Sequence, residues 1–326
     1  MKTVFCRYGI VLPLLATLCG GALAANPPYP EKPIRIVVVY PPGGGIDILV
    51  RALGQKLSDV WGPPIIVDNR PGAGTTIGAA IAAKASADGY TLLATDVSYS
   101  ITPSLYGREL PYDPLKDLTP IILLNLVTDV LVVHPSLPVK SVKQLIAHAK
   151  ANPGKILYAS AGNGTLNHLA PEMFKTMAGI DMVHVPYKGA VAAIADVMSG
   201  REQVYIGALA STVPHIKSGR LRALAITGAR RSTVLPDLPT VIEAGVPKYD
   251  VNSWYGLLAP VGTPRPIIDK VNGEVKKALR MSDIQERLAA DGSVAVGSTP
   301  EEFGTFIRSE MSKWEKVVKA AGAKVD

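Results

Sequence analysis

Cysteine is scarce in this chain of 326 residues, and both cysteines, Cys6 and Cys19, lie among the first 24 residues. Those residues are typical of a secretory signal, with a basic start, an apolar stretch at 10–18 and a small-residue cleavage site at 22–24. The apolar stretch falls short of the roughly 20 residues that span a bilayer. We therefore predict that residues 1–24 are a cleaved signal peptide and that the exported chain has no disulfide, cysteine metal site or cysteine nucleophile.

Aromatic residues and blocks of charge are also lacking. The chain has only 3 Trp, 12 Tyr and 4 Phe, and no run of Lys or Arg is longer than two. Neither a stacking platform nor a basic stripe for nucleic acid is indicated, so we expect no nucleic acid partner. The net charge of +7 falls to +5 without the two basic residues of the signal peptide. This modest excess suits a small anionic ligand at least as well as a nucleic acid.

What the sequence does contain is a repeated order of strand, glycine turn and helix, in a chain with 48% hydrophobic residues. Strands are predicted at residues 34–39, 65–67, 90–94, 131–133 and 156–159. Helices are predicted at residues 46–57, from the second turn through 85, and from the last turn to 178. Alternation of this kind is typical of α/β proteins, whose ligands collect at the carboxyl ends of the strands.

Three turns between these strands and helices are rich in glycine, at residues 40–45, 68–74 and 160–165. Glycine lets the backbone approach a bound group closely. The first N–H groups of the following helix are unpaired donors at the positive end of the helix dipole. Any one turn can be a plain connection, but three turns that converge would form an anion site from main chain.

Two segments of the chain resemble nucleotide-binding motifs but do not match them. Gly72, Gly74 and Gly78 follow a strand, and Asp96 lies about twenty residues further on, as in a dinucleotide fingerprint, but the third glycine comes one position late. The turn at 43–45 lacks the Gly-Lys-Ser/Thr ending of a P-loop. We therefore expect no nucleotide cofactor.

An exported α/β hydrolase-like enzyme is the alternative from another functional class. Ser160 lies at a strand end and His168 follows in the next helix, but the segment around Ser160 is not G-x-S-x-G. His168 can equally be a helix residue that hydrogen-bonds back to the turn. The five histidines show no metal-ligand spacing, so we expect no metal site. Nothing in the sequence requires an enzyme.

Motifs along nearly the whole mature chain resemble one family in order. They are Tyr29-Pro-x-Lys-Pro-Ile-Arg35, Pro41-Pro-Gly-Gly-x-x-Asp47, Asn69-Arg-Pro-Gly-Ala-Gly74, Asp88-Gly-Tyr-Thr-Leu-Leu93, Tyr158-Ala-Ser-x-Gly-x-Gly-Thr165, His184-Val-Pro-Tyr-Lys-Gly189, Leu235-Pro-Asp-x-Pro-Thr240 and Ala259-Pro-x-Gly-Thr-Pro264. A single block is weak, whereas the ordered set is specific. The sequence resembles the substrate-binding proteins of tripartite tricarboxylate transporters, the TctC-like or Bug receptors.

The resemblance implies a two-lobed α/β periplasmic binding protein of the Venus-flytrap kind, type II-like, in which each lobe is a mixed sheet flanked by helices. Lobe one is expected at residues 26–125 plus 253–326 and lobe two at 126–252. The family's ligand is typically a small organic carboxylate, held between the lobes by main-chain groups and ordered waters. The implied protein is a periplasmic monomer without cofactor that delivers its ligand transiently to membrane transporter subunits.

The resemblance also assigns the ligand-binding residues. In lobe one they are Pro42, Gly43, Gly44, Gly45, Gly74 and Thr75 as a carboxylate cradle, with Thr95, Asp96 and Ser98 in the cleft wall. In lobe two they are Ser160, Gly162, Gly164 and Thr165, with His168, Tyr187, Lys188 and Gly189 nearby. Lys188 either pairs with an acid or is a solvated loop residue.

Asp47 needs a separate interpretation because a carboxylate repels an anionic ligand. It is either an acid of the first helical turn or a group that orients a bridging water or meets an amino group. Many family members have Asp at the position of Gly207. This departure disfavours a ligand with an amino group and favours a plain mono- or dicarboxylate.

Three functions remain open at this stage. The first is a carboxylate receptor whose closed form is recognised by a transporter. The second is the enzyme that uses Ser160 and His168. The third is a sensor-type ligand-binding subunit that serves a signalling system.

Overall fold

The computed structural model describes residues 1, 3 and 29–324. Apart from Met1 and Thr3, the predicted signal peptide lies outside the described residues. The strands are β1 (Ile34–Val38), β2 (Ile65–Asn69), β3 (Thr91–Asp96), β4 (Leu118–Val127), β5 (Asp129–Val133), β6 (Leu157–Ser160), β7 (Val183–Pro186), β8 (Val204–Ala208), β9 (Arg222–Ile226), β10 (Ser253–Pro260) and β11 (Ser293–Ala295). The helices are α1 (Gly45–Trp61), α2 (Thr76–Ala83), α3 (Ser98–Tyr106), α4 (Val142–Ala151), α5 (Leu166–Ala178), α6 (Ala190–Ser199), α7 (Leu209–Lys217), α8 (Arg265–Leu279), α9 (Ser282–Ala290) and α10 (Pro300–Ala321).

The strands form two mixed sheets. The first has six strands in the order β11-β4-β10-β3-β1-β2, and the second has five in the order β7-β6-β8-β5-β9. Strands β1, β2 and β3 are parallel, as are β6, β7 and β8, so the carboxyl ends of three strands lie at the same end of each sheet. β10 pairs antiparallel with β3 and β4, β11 pairs antiparallel with β4, and β5 pairs antiparallel with β8 and β9. This is the predicted two-lobed α/β fold with mixed sheets.

Local sequence explains the elements that carry the glycine turns. β1 is nearly all β-branched and buried, as suits a strand covered on both faces. Helix α5 ends at Ala178 and is followed by Gly179, which has the left-handed φ of 62° that is favoured just after a helix C-terminus. The predicted strands and helices at these turns are confirmed, with bounds that differ by a few residues.

The last helix joins the two lobes. α10 begins with a capping box, in which the Thr299 side chain accepts from the Glu302 N–H and the Glu302 carboxylate accepts from the Thr299 N–H. It packs against α3 of the first lobe and α5 of the second. Buried residues of both sheets and Trp314 of α10 belong to one apolar cluster. In the described residues no helix is both long and apolar enough to cross a bilayer.

Candidate functional site

A cavity of about 320 Å³, here called the glycine cavity, lies between the lobes. The first lobe lines it with the turn after β2 and one face of α3, and the second lobe with the turn after β6. Its lining includes Val39, Tyr40, Pro71, Gly72, Gly74, Thr75, Ser98, Ile101, Thr102, Leu105, Tyr106, Asn163, Gly164 and Thr165. The structure therefore brings together five residues of the predicted set, which are Gly74, Thr75, Ser98, Gly164 and Thr165.

The turn before α2 presents unpaired polar groups to this cavity. Gly74 has a φ of 60° and Thr75 a φ of 83°, and such a left-handed Thr is strained by roughly 1–3 kcal/mol. The Thr75 hydroxyl is buried and has no hydrogen-bond partner among the described residues. No described side chain caps helix α2, but the N–H groups of Thr75 and Thr76 already donate to the Gly72 and Ala73 carbonyls, so only the N–H groups that follow Thr76 are candidates for a ligand.

The turn before α5 is held in a fixed shape. The Thr165 hydroxyl donates to the Gly162 carbonyl at 2.7 Å, which leaves α5 without a cap from this side chain. The Gly164 N–H donates to Nδ1 of His168 at 3.1 Å. His168 is therefore the helix residue that bonds back to the turn, and its proton is on Nε2.

The predicted pair of Ser160 and His168 does not form, which corrects the basis of the enzyme alternative. The Ser160 hydroxyl lies 2.6 Å from Nε2 of His184 instead. His184 lies on the adjacent strand β7, where it pairs with Tyr158 while Pro186 pairs with Ser160. Ser160 is fully buried and also accepts from the Gly162 N–H. These hydrogen bonds of the Ser160 hydroxyl stabilise the turn after β6.

His168 and His184 stack, with ring centroids 3.9 Å apart and planes 4° from parallel. Burial lowers the pKa of His168, and burial together with the neighbouring His168 lowers the pKa of His184 to about 4. Both rings are neutral at pH 7. They support the second-lobe turn without adding charge to it.

The wall at the end of β3 is a small hydrogen-bonded cluster. The Tyr40 hydroxyl donates to the Asp96 carboxylate at 2.9 Å and lies 3.2 Å from the Ser98 hydroxyl. Burial raises the pKa of Asp96 to about 6, although bonds from Tyr40 and Ser98 oppose the rise. Thr95 is buried, with no partner for its hydroxyl among residues 29–324. Thr95 and Asp96 are buried and are not among the residues that line the glycine cavity.

Asp47 is an acid of the first turn of α1, as one of the two interpretations holds. Its carboxylate accepts from the Gly43 N–H at 2.9 Å and from Arg51 and Asn69. Burial opposes ionisation, but these bonds hold the pKa of Asp47 below its ordinary value. Pro42, Gly43 and Gly44 form an exposed turn, which Asp47 holds through the Gly43 N–H.

A second cavity of about 280 Å³ also lies between the lobes and is here called the asparagine cavity. Gly45 lines it at the start of α1, together with Asn125 of β4, Ser211 of α7, Tyr255 of β10 and Ser293 of β11. Gly45 and Gly74 of the predicted cradle thus line different cavities.

The segment after β7 lines neither cavity. The Tyr187 hydroxyl donates to Asp196 at 2.9 Å, which directs it toward α6. Lys188 is exposed. The Gly189 N–H donates to the Ala161 carbonyl at 3.1 Å, so this segment braces the turn after β6.

Gly207 is enclosed by neighbouring side chains. A Cβ at this position would lie 2.5 Å from the Tyr205 ring and 2.7 Å from the Asn167 amide nitrogen. An Asp does not fit there unless these side chains move.

Several lining residues were missed by the sequence reasoning. Tyr40 directly follows the apolar strand run, and Thr102 and Tyr106 follow Ser98 at the spacing of four that places side chains on one helix face. That spacing is a signal that could have revealed them. Asn125 carries no comparable local signal, and His184, which bonds to Ser160 from β7, was named only as the first residue of a family motif.

Comparison with known proteins identifies the family. The family described as "Tripartite tricarboxylate transporter family receptor" matches residues 49–323. The protein BugT of Bordetella pertussis (strain Tohama I) is 38% identical over 315 residues, which cover 95% of this chain and 96% of BugT.

Two solved structures from Rhodopseudomonas palustris are also similar. One, described with adipate, is 36% identical with a TM-score of 0.80, and the match covers 91% of this chain and 100% of that chain. MatC, described with bound malate, is 30% identical with a TM-score of 0.76, and the match covers 89% of this chain and 100% of MatC. The resemblance inferred from the sequence is confirmed, and the chain belongs to the tripartite tricarboxylate transporter receptor family of periplasmic solute-binding proteins.

Proposed function

We propose that this protein is a periplasmic receptor that binds a small organic carboxylate between its lobes and delivers it to the membrane subunits of a tripartite transporter. The observation that carries the proposal is the glycine cavity, where the uncapped starts of α2 and α5 meet from opposite lobes. An anion there receives N–H donors and two positive helix ends.

The lining explains why a carboxylate fits better than a cation. Gly74 and Gly164 leave the backbone accessible, and the Thr75 hydroxyl is an unpaired donor within the described part of the chain. Among the described residues no Asp or Glu lines this cavity, and Asp47 is engaged by Arg51 and Asn69. The relatives solved with adipate and malate support a di-acid or hydroxy-acid as the ligand class.

The lobes proposed are residues 26–125 plus 253–326 and residues 126–252. β4 ends at Val127, β5 begins at Asp129, and the chain returns at Ser253. The Ser253 N–H donates to the Asp129 carboxylate at 2.7 Å, which ties the two crossings together. Ligand contacts from both lobes would favour a closed form, and that form would be the one the transporter recognises.

The test is thermal unfolding of residues 25–326, refolded to remove bound ligand, against mono-, di- and tricarboxylates. Amino acids, nucleotides and esters serve as controls. A ligand at a hundred times its Kd adds about 2.7 kcal/mol to the free energy of unfolding. We expect a rise of several degrees in Tm with at least one di- or hydroxy-acid and none with the controls.

A silent carboxylate panel combined with stabilisation by a nucleotide or an ester would overturn the proposal. Uptake in a strain that lacks only this protein separates the receptor from a sensor. Loss of uptake of the stabilising carboxylate supports delivery to a transporter, whereas intact uptake with a lost transcriptional response points to sensing.

A further inference from the structure

The asparagine cavity is built around a buried amide without partners in the described chain. Asn125 is fully buried, and neither its side-chain nitrogen nor its oxygen has a hydrogen-bond partner among the described residues. An unsatisfied buried polar group costs about 1–3 kcal/mol. A buried amide with both ends unpaired therefore points to a group that binds there.

A row of polar side chains links Asn125 to the other cavity. Asn125 lies opposite Tyr255 on β10, and Tyr255 lies opposite Asp96 on β3. Asp96 in turn accepts from Tyr40, which lines the glycine cavity. The row Tyr40, Asp96, Tyr255 and Asn125 therefore runs from one inter-lobe cavity to the other.

Gly45 makes room for the Tyr255 hydroxyl. A Cβ at Gly45 would lie 2.7 Å from that hydroxyl oxygen. Burial and the nearby Asp96 raise the pKa of Tyr255, so the hydroxyl stays protonated and can donate as well as accept. The cavity thus offers two groups, an amide and a phenol, that can each donate and accept a hydrogen bond.

The two charged residues at this cavity have opposite signs, so the cavity has no net charge from them. Arg287 and Asp291 both line it and both are exposed. A carboxylate would satisfy the Asn125 nitrogen but leave its oxygen unpaired, because a carboxylate has no hydrogen to donate. A carboxamide or a hydroxyl supplies both partners.

We propose that the asparagine cavity is a second, separate binding site that takes a neutral group able to donate and accept hydrogen bonds, a carboxamide or a hydroxyl. The two cavities share no lining residue, so this inference goes beyond the proposed function and does not depend on it.

The first test needs no carboxylate ligand. Protein labelled with ¹⁵N only at asparagine is titrated with acetamide and, as control, acetate, and the Asn125 side-chain signals are identified by their loss in Asn125→Asp. We expect acetamide, and not acetate, to shift the Asn125 signals saturably. Unchanged Asn125 signals, or equal shifts with acetate, would overturn the inference. Shifts with acetamide together with a silent carboxylate panel would refute the proposed function and leave the neutral-group site standing.

The second test is titration calorimetry with acetamide. We expect Asn125→Leu to weaken acetamide binding at least tenfold relative to the wild-type protein. Tyr255→Phe keeps the ring, removes only the hydroxyl and should weaken acetamide binding severalfold, which covers the case that Asn125→Leu does not fold. Absence of acetamide binding by the wild-type protein, or an unchanged affinity in both variants, would refute the neutral-group site.

Discussion

At the scale of single residues, Gly164 is the point where a side chain of one lobe meets the turn of the other. It has a φ of 72°, and a Cβ there would lie 2.5 Å from Cδ1 of Leu105 on α3. We expect Gly164→Ala to displace Leu105 and to weaken binding of the stabilising carboxylate about tenfold, measured by calorimetry.

Gly179→Ala is the matched control for this variant. Gly179 has a similar φ of 62°, and no atom of the described residues lies within 4 Å of the position that a Cβ would take there. Both variants should lose about 1 kcal/mol of stability from the left-handed backbone, but Gly179→Ala should bind normally. Equal affinities in the two variants would argue against a lobe contact through Leu105.

Asp96 should make stability depend on pH. Its folded pKa of about 6 exceeds its ordinary value of 3.8 because of burial, so its contribution is full below pH 4 and is lost as the pH rises through 6. Asp96→Asn has no carboxyl group at this position, so it does not lose this stability as the pH rises. We expect the variant to gain about 2–3 kcal/mol relative to wild type between pH 4 and pH 7, measured by urea unfolding.

Asp129, whose pKa burial raises to about 7, titrates in both proteins and cancels in this difference. Parallel profiles for the wild-type protein and Asp96→Asn would contradict the assignment of a raised pKa to Asp96.

At the scale of elements, the first turn of α1 depends on Asp47. The carboxylate joins the Gly43 N–H, Arg51 and Asn69 in one cluster. Asp47→Asn removes the charge and leaves some of these donors unpaired, so we expect a loss of about 1–3 kcal/mol in the free energy of unfolding. Asp59→Asn on the same helix is the control, because Asp59 is exposed and accepts from the Gln55 amide.

Asp59→Asn should cost less than about 0.5 kcal/mol. Because the lowered pKa of Asp47 stabilises the fold only while the group is ionised, the gap between the two variants should shrink as the pH falls below 4. A gap that stays constant with pH would show that Asp47 acts through packing and not through its charge.

The elements that the sequence predicts are those with local signals. β1, β6, α1 and α5 adjoin glycine turns, and their apolar spacing is complete within a dozen residues. The pairing of β4 with β10 joins residues more than a hundred positions apart, for example Asn125 with Tyr255. No local pattern encodes such a partner, so the asparagine cavity could not be foreseen.

The same reason explains the outcome at the candidate site. Gly74, Thr75, Gly164 and Thr165 are fixed by their own turns, and they line the cavity. The partner of Ser160 comes from a neighbouring strand, and the sequence therefore favoured His168 over His184.

At the scale of the whole molecule, the two lobes share part of their apolar core. Val37 and Leu93 of the first sheet, Val133 and Tyr158 of the second, and Trp314 of α10 belong to one buried cluster. We expect a single calorimetric transition, with a calorimetric enthalpy equal to the van't Hoff enthalpy. Two resolved transitions in the ligand-free protein would show that the lobes unfold independently.

Because β10 lies in the middle of the first sheet, that sheet cannot be completed before β10 has been synthesised. β10 lies between β3 and β4, although more than a hundred residues are synthesised after β4 before it emerges. All strands of the second sheet, Asp129 to Ile226, are complete earlier. Nascent chains that end before Ser253 can therefore complete the second sheet, while the first stays divided into two parts with unpaired edges. These unpaired edges can aggregate or be cleaved by proteases until the final quarter of the chain, which contains β10, has been synthesised.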